Sequence, residues 1–289
     1  MNEIYAVIVT YNPDIDLLNN QYEGLLKQVD GIIYVDNNSK EEIKSLFRQD
    51  DIKVHYILNE CNEGLGYAQN QGIKKALGLG AEWILILDQD SELSENMVSD
   101  LKKCYDECSA KGISIGAVAP GVVNVFDKSS PVLGIIINGF HSRTPKIGSE
   151  PMEVSYCIAS GTLTKKEVIE DVGLINEDMF IDFLDLEWCM RARFKGYHIY
   201  MSPIAKLYHR LGNGKKNKIE SHSPIREYYI CRNGIRLLRF SYVPLGFRCR
   251  CLILTPIRVI RALLSGQKEY VAMGIKGIYH AIIGKGGKY

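Results

Sequence analysis

The chain has 289 residues, 46% hydrophobic and 24% charged, with a net charge of +1, an ordinary balance for a soluble globular protein. That length suffices to bury a core, either as one large domain or as a domain with an appendage. Its eight cysteines include no C-x-x-C pair, which argues against a zinc ribbon or a thioredoxin-type site and favours reduced, cytosolic thiols. The opening residues lack a basic n-region, and no uncharged apolar run approaches the length of about 18 residues that a spanning helix needs, so the chain is expected on the cytoplasmic side.

In chain order, the pattern predicts a strand over Ile4–Thr10, a helix over residues 14–28, a strand over Gly31–Asp36 and a helix over 41–48. A strand over 52–58, a helix over 65–79 and a strand over 83–87 continue the alternation. Strand and helix in turn imply a mostly parallel sheet flanked by helices, with ligand-binding loops gathered at one edge. The fold class is therefore α/β.

The strand ends carry the chemistry. The first closes in Thr10, Tyr11 and Asn12, the second in Asp36, Asn37, Asn38 and Ser39, and the third runs into Asn62, Gly64, Gly66 and Asn70. The fourth, an apolar run from Trp83 to Leu87, stops abruptly at Asp88 and Asp90. In an extended chain residues i and i+2 project to one side, so both carboxylates can face one crevice, where hard oxygen ligands suit a divalent ion carrying a diphosphate. A purely structural reading makes the same residues a strand-ending turn. Asp36 can accept bonds from a base or ribose, or cap a helix. Gly64 and Gly66 permit close backbone approach to a phosphate at a helix start. The third glycine of the dinucleotide fingerprint is missing, which argues against a Rossmann dehydrogenase.

The segments AVIVTYNPD (6–14), VDNNS (35–39), NEGLGYAQNQGI (62–73), LILDQDS (85–91), SGTL (160–163), FIDFLDLEWCMRARFKGY (180–197) and LYHRLG (207–212) together resemble a family 2 glycosyltransferase of the GT-A fold. DQDS with AQNQGI upstream is most similar to the bacterial rhamnosyltransferase branch. The resemblance implies inverting transfer of a sugar from a nucleotide-sugar donor, dTDP-rhamnose, in cell-surface polysaccharide synthesis. By position it implies that Thr10, Tyr11, Asn12 and Asp36 hold the nucleoside, while Asn62, Gly64 and Asn70 line the diphosphate. Asp90 would bind Mg²⁺ or Mn²⁺, Asp88 the ribose or the same ion, and His209 would complete the metal site.

Asp185 falls where the family's catalytic base lies, with Glu187 supporting it or touching the acceptor; both precede or begin an expected amphipathic helix. Leu184 stands where many relatives have an acid, and Asp182 is the available compensation. A helix-capping role for these acids is the alternative. Asp182, Trp188, Arg226 and Arg232 are the acceptor-side candidates, the arginines because their geometry matches phosphate, although an ordinary amphipathic helix also accounts for them.

Residues 1–235 form the expected catalytic domain and 236–289 a helical C-terminal extension. From 240 onward eight basic residues face Glu269 alone, a local balance of +7 that leaves about −6 on the rest of the chain. Apolar residues recur there at helical spacing, a basic amphipathic pattern that suits the anionic inner face of a membrane and a lipid-diphosphate-linked acceptor. A helix pair docked on the catalytic domain is the structural alternative. No aromatic-rich RNA-binding motif accompanies the charge, so nucleic acid is not an expected partner. The rival activities are a transferase using a UDP-hexose, a haloacid-dehalogenase-like phosphatase and a non-catalytic binding module. The phosphatase motif usually follows the first strand, whereas here the acids follow the fourth.

Overall fold

The computed structural model describes residues 3–40, 53–124, 131–132, 134–146, 148–209 and 222–289. The helix expected over 41–48 and the side chain of His209 lie outside the described residues. The strands are β1 (Ile4–Thr10), β2 (Gly31–Asp36), β3 (Val54–Leu58), β4 (Trp83–Asp88), β5 (Ser91–Leu93), β6 (Ile115–Asn124), β7 (Pro131–Val132), β8 (Ile136–Asn138), β9 (His141–Arg143), β10 (Met152–Val154), β11 (Thr162–Lys165) and β12 (His198–His209). The helices are α1 (Ile15–Leu25), α2 (Leu65–Gly78), α3 (Met97–Ser109), α4 (Lys166–Val172), α5 (Leu184–Phe194), α6 (Pro224–Arg236), α7 (Leu245–Leu264) and α8 (Lys268–Ile282).

Among the described residues the main sheet runs β10-β12-β6-β11-β4-β1-β2-β3, with β5 added to β12 and β7 to β6. The pairs from β4 through β1 and β2 to β3 are parallel, and β6 with β12 is parallel again. β11 lies antiparallel to both β4 and β6, so the strand on either side of it keeps one common direction. The sheet is mixed, with the parallel arrangement expected from sequence present in its β4-β1-β2-β3 half. Its register brings Thr10 beside Asp36 and Val9 beside Asp88, so the carboxyl ends of β1, β2 and β4 finish at one level.

Period-two alternation sorts the apolar side chains into two layers. Ala6, Ile8, Ile32, Tyr34, Leu85 and Leu87 pack toward α1 and α3, while Val7, Ile33, Val35 and Ile84 pack toward α2 and α5. Burying one such aliphatic side chain contributes roughly 1.5–3 kcal/mol, which is why strands covered on both faces are apolar throughout. Gly72 lets α2 lie directly on β1, since a Cβ there would sit 2.3 Å from Val7 Cγ1.

α5 departs from the amphipathic helix expected. Leu184, Leu186, Glu187, Trp188, Cys189, Met190 and Ala192 are all buried, leaving no solvated stripe. The reason is the extension: Leu237, Val243, Phe247 and Cys251 belong to the same apolar core as α5 and close over it. α6 runs across position 235, and α8 lies tight against it. A Cβ on Gly277 would come within 2.4 Å of the Tyr228 carbonyl oxygen, and one on Gly274 within 2.7 Å of Val259. The helix pair is therefore docked, with His280 Nδ1 and Tyr228 Oη 2.7 Å apart at its centre. No helix among the described residues is long and apolar enough to cross a membrane.

Candidate active site

A cleft of about 550 Å³ opens at the carboxyl ends of β1, β2 and β4, lined among others by Tyr11, Asn62, Asp88, Asp90, Asp182, Asp185 and Arg226. Seven of the residues singled out from sequence therefore share one cavity. Thr10, Asn12, Asp36, Gly64, Asn70, Glu187, Trp188 and Arg232 do not line it.

Asp88 ends β4, and the chain then turns back at once into β5, whose partner is β12. Asp88 thus closes the strand while Asp90 lies in the tight turn after it, and both reach the cleft. The turn is fixed from three sides. The Asp88 amide donates to Ser160 Oγ at 2.9 Å, and that hydroxyl lies 2.9 Å from Ser91 Oγ. Gln21 Nε2 donates to the carbonyls of Asp88 and Ser91, each at 2.7 Å. Gln89, between the aspartates, accepts from the Tyr11 amide at 2.7 Å and donates to the Tyr11 carbonyl at 3.3 Å. That exchange locks the β1 loop to the β4 turn and leaves the Tyr11 ring 50% exposed at the cleft.

Thr10, Asn12 and Asp36 form the knot behind Tyr11. The Asp36 carboxylate, buried, accepts from Thr10 Oγ1 at 2.7 Å, from the Ser39 amide at 2.7 Å and from Ser39 Oγ at 2.5 Å. Asn12 sits at a left-handed φ of 48° and gives its amide to Ser39 Oγ at 2.8 Å. These residues shape the loop that presents Tyr11.

Near α2, Asn62 lines the cleft and accepts from the Gly64 amide at 3.0 Å. Gly64 has a φ of 97°, and a Cβ there would meet Phe180 Cδ2 at 2.6 Å. The room beside this glycine is filled by protein, with the Leu65 amide donating to the Phe180 carbonyl at 2.7 Å. Gly66 is likewise packed, a Cβ there meeting Leu184 at 3.0 Å. Asn70 is buried. It donates to the Ile175 carbonyl at 2.9 Å and to Glu177 Oε1 at 2.8 Å, and accepts from the Ile175 amide at 2.9 Å. Its neighbour Gln69 lines the cleft instead, and among the described residues its buried Oε1 finds no hydrogen-bond partner.

Asp185 lies in the first turn of α5, accepts from the Leu186 amide at 2.8 Å and keeps part of its surface open to the cleft. Dense enclosure by protein, reinforced by the carboxylates of Asp88 and Asp182 and opposed by the Leu186 N–H, pushes its pKa up to about 6. The segment leading into it is strained. Phe180, Asp182 and Phe183 all have φ between 60° and 68°, a geometry costing on the order of 1–3 kcal/mol per residue that persists only where surroundings impose it. The surroundings are visible: Phe180 stacks on Tyr229 with ring centroids 4.7 Å apart, and Asn233 Nδ2 lies 2.7–3.0 Å from the carbonyls of Met179, Ile181 and Asp182. Arg226 pairs with Asp182 at 2.9 Å across the rim.

Arg232 is in the framework and does not line the cleft. It is fully buried, donates to the carbonyls of Asp178, Met179 and Gly287 at 2.5–3.0 Å, and lies over the rings of Tyr228 and Tyr229. Glu187 is buried too, bonded to Arg191 at 2.9 and 3.0 Å and to Tyr242 Oη. Trp188 is buried and donates to the Gly173 carbonyl at 2.9 Å. Arg191 also reaches the carbonyls of Val172 and Leu174 at 2.7 and 2.8 Å, so this pair anchors α5 to the segment after α4.

Sequence reasoning left Gln69, Gln89, Ser160 and the two strained phenylalanines out of the site. Helical phase could have found the first, since Leu65 and Gln69 lie four apart and share a face, whereas Asn70 shares one with Gly66 and Ile73.

Among the described residues no three His, Cys, Asp or Glu side chains cluster as a metal-holding group. Asp88 and Asp90 nevertheless fit a hard divalent cation, which characteristically takes one or two carboxylates and completes its shell with water and substrate phosphates. The like charge that raises Asp185 is what such a cation would offset.

The model of the family described as "Glycosyl transferase family 2" matches residues 5–173. Over the whole chain, and 99% of the relative, the sequence is 36% identical to the dTDP-rhamnosyl transferase RfbF of Shigella flexneri. It is 24% identical to the low-salt glycan biosynthesis hexosyltransferase Agl10 of Haloferax volcanii, covering all of this chain and 94% of that one. Among solved structures, S. aureus TarS 1-349 in complex with UDP-GlcNAc superposes with a TM-score of 0.63 at 15% identity over 96% of this chain and 81% of that one. GalNAc-T7 with UDP, GalNAc and Mn²⁺ gives 0.62 at 18% identity over 79% of this chain, which spans about half, 48%, of that one. The GT-A architecture expected from sequence is the one observed.

Proposed function

The chain belongs to glycosyl transferase family 2, and on that premise we propose that it moves L-rhamnose, with inversion, from dTDP-rhamnose to a lipid-linked glycan acceptor during cell-surface polysaccharide synthesis. The observation that carries the reading is the meeting, in one cleft, of the Asp88–Asp90 turn with a carboxylate whose proton affinity is raised to about 6. Full-length likeness to a dTDP-rhamnosyl transferase supports the donor.

Asp185 takes the proton of the acceptor hydroxyl as the new bond from that oxygen to the sugar's anomeric carbon forms. The bond from that carbon to the diphosphate oxygen breaks on the opposite face, and the nucleoside diphosphate leaves with the electron pair. A base with a pKa near the working pH serves such a transfer best. Tyr11 and Asn62 hold the nucleotide, with Gln69 the added candidate, while Thr10, Asn12 and Asp36 position Tyr11, and Gly64 and Asn70 seat α2. Asp88 and Asp90, with His209 as a further candidate ligand, would hold Mg²⁺ or Mn²⁺, which when bound supplies positive charge to the diphosphate. Glu187 positions the base by fixing the turn of α5 that bears it. Asp182 and Arg226 stand at the acceptor rim.

The extension is proposed to rest on an anionic membrane. Supporting this, Leu252, Ile253, Ile260, Leu263, Leu264 and Ile282 are exposed on α7 and α8, interspersed with Arg261, Lys268 and Lys276. A bilayer-facing hairpin would bring the cleft to a lipid-linked substrate.

The test is a hydrolysis and transfer screen of dTDP-rhamnose against UDP-hexoses with the full chain, with and without Mn²⁺. Turnover of dTDP-rhamnose that needs the ion, and an inverted anomeric product, is the expected result. Turnover confined to a UDP-sugar would replace the donor. An aspartyl-phosphate at Asp88 would overturn the reaction class.

A further inference from the structure

A second cavity, of about 450 Å³, lies between α6 and α7 and borders the cleft at Phe183, which lines both. Its walls are apolar on α7, with Phe247, Leu254 and Ile257, and three arginines, Arg250, Arg258 and Arg261, open onto it. The one carboxylate in its lining, Glu227, is taken up by Arg258 at 2.5 and 2.7 Å, so the remaining two arginines leave the groove positive. Arg250 donates to the Phe140 carbonyl at 3.1 Å, and Arg261 is exposed, its guanidinium with no hydrogen bond or ion pair among the described residues. Two buried polar atoms on the groove, His222 Nδ1 and Gln267 Oε1, also find no partner there. Leu254, partly exposed, joins the groove to the apolar outer face of α7.

A groove with an arginine toward each end of its α7 wall and apolar residues between, bordering the cleft at Phe183 and a greasy helix face at Leu254, is built for an anionic amphiphile. Guanidinium groups match phosphoryl oxygens, and α7 continues the apolar wall outward. We propose that this groove is the acceptor subsite. Arg250 holds the phosphoryl end of a lipid-linked acceptor, Leu254 and Ile257, one and two turns further along α7, hold the first carbons of its chain with Arg261 beyond them, and its glycan passes Phe183 into the cleft. This rests on the glycosyl-transfer reading and assigns to α7 the phosphate contact that the sequence suggested for Arg232.

The test is calorimetric binding of farnesyl diphosphate, below its micelle concentration, to the full chain with its cleft saturated by dTDP. Pyrophosphate and farnesol serve as separate arms. Farnesyl diphosphate is expected to bind in the presence of dTDP, and roughly tenfold or more tighter than either arm. The Arg250→Gln, Arg261→Gln double variant should lose roughly tenfold or more of that affinity, and Leu254→Asn should weaken farnesyl diphosphate but not pyrophosphate. dTDP binding by the double variant should be unchanged, which shows that it is folded. Displacement of the probe by dTDP, equal affinity for pyrophosphate, or an unaltered double variant would each overturn the subsite. Failure of the parent chain to turn over any nucleotide sugar would instead sink the glycosyl-transfer reading and leave the measured groove affinity standing.

Discussion

Asp185→Asn keeps the size of the side chain and the acceptor for the Leu186 amide, but removes the group that can take a proton. A positioned general base contributes about 10²- to 10⁴-fold, so turnover should fall by that factor while donor affinity changes little. The same substitution should make the protein more stable. A displacement from 3.8 to about 6 corresponds to no more than roughly 3 kcal/mol of disfavour for the carboxylate. Because the folded state holds the proton more tightly than the unfolded chain, it is free of this penalty below the ordinary carboxylate range and incurs it progressively as pH rises toward and through about 6. Asn carries no such dependence. Thermal unfolding of the two proteins should therefore diverge in favour of the variant at about pH 8 and converge near pH 4. The free enzyme's kcat/KM should rise with pH through an apparent value near 6, read from a profile with dTDP-rhamnose. Retained turnover in Asp185→Asn, or a variant less stable than the parent at the higher pH, would refute the assignment of the base and of its environment together.

Asp90→Asn should raise the Mn²⁺ concentration needed for half-maximal turnover by tenfold or more without changing the thermal midpoint by more than about 2 °C, as measured by a metal titration and a melt. Gly64→Ala should cost about 1–3 kcal/mol in urea unfolding, because the added methyl meets Phe180 at 2.6 Å and φ is 97°. Glu187→Ala should cost about 1.5–3 kcal/mol by leaving the half-buried Arg191 guanidinium without its carboxylate, and the apparent pKa in the rate profile should move as α5 loosens. Replacing Leu263 and Leu264 by Asp should abolish sedimentation with anionic vesicles, while hydrolysis of the donor in solution is kept.

The strand ends were legible because a run such as WILILD has to be covered on both faces, and the polar residue that follows is left at the sheet's edge. Register then gathers Thr10, Asp36 and Asp88 without any further signal. Two neighbours on α2 show where reading stopped. Asn70 and Gln69 are both amides in the same motif, and only the helix's rotation decides that Gln69 meets the cleft while Asn70 ties down residues 175–177. Arg226 and Arg232 present the same problem at longer range. Six residues rotate the helix by about 240°, and the burial of Arg232 depends on the docking of Gly287, which no local pattern announces. The strain at Phe180 and Phe183 was equally silent, because phenylalanine carries no preference for positive φ that would mark it. The amphipathic expectation for α5 failed because residues some fifty positions later supply its missing cover.

Residues 284–289 are wired to the loop that leads into α5. The Gly287 amide donates to the Asp178 carbonyl at 2.8 Å, Arg236 bridges Asp178 at 2.8 Å and the Gly284 carbonyl at 3.2 Å, and the Tyr289 amide donates to Tyr229 Oη at 2.9 Å, beneath the stacked Phe180 ring. A force applied along the α7–α8 hairpin is therefore borne at its far end by the very peptide units that aim Asp182 and Asp185. The hairpin is mechanically a lever whose short arm ends beside the candidate cleft, so a shift in how it is seated is passed to the loop before α5.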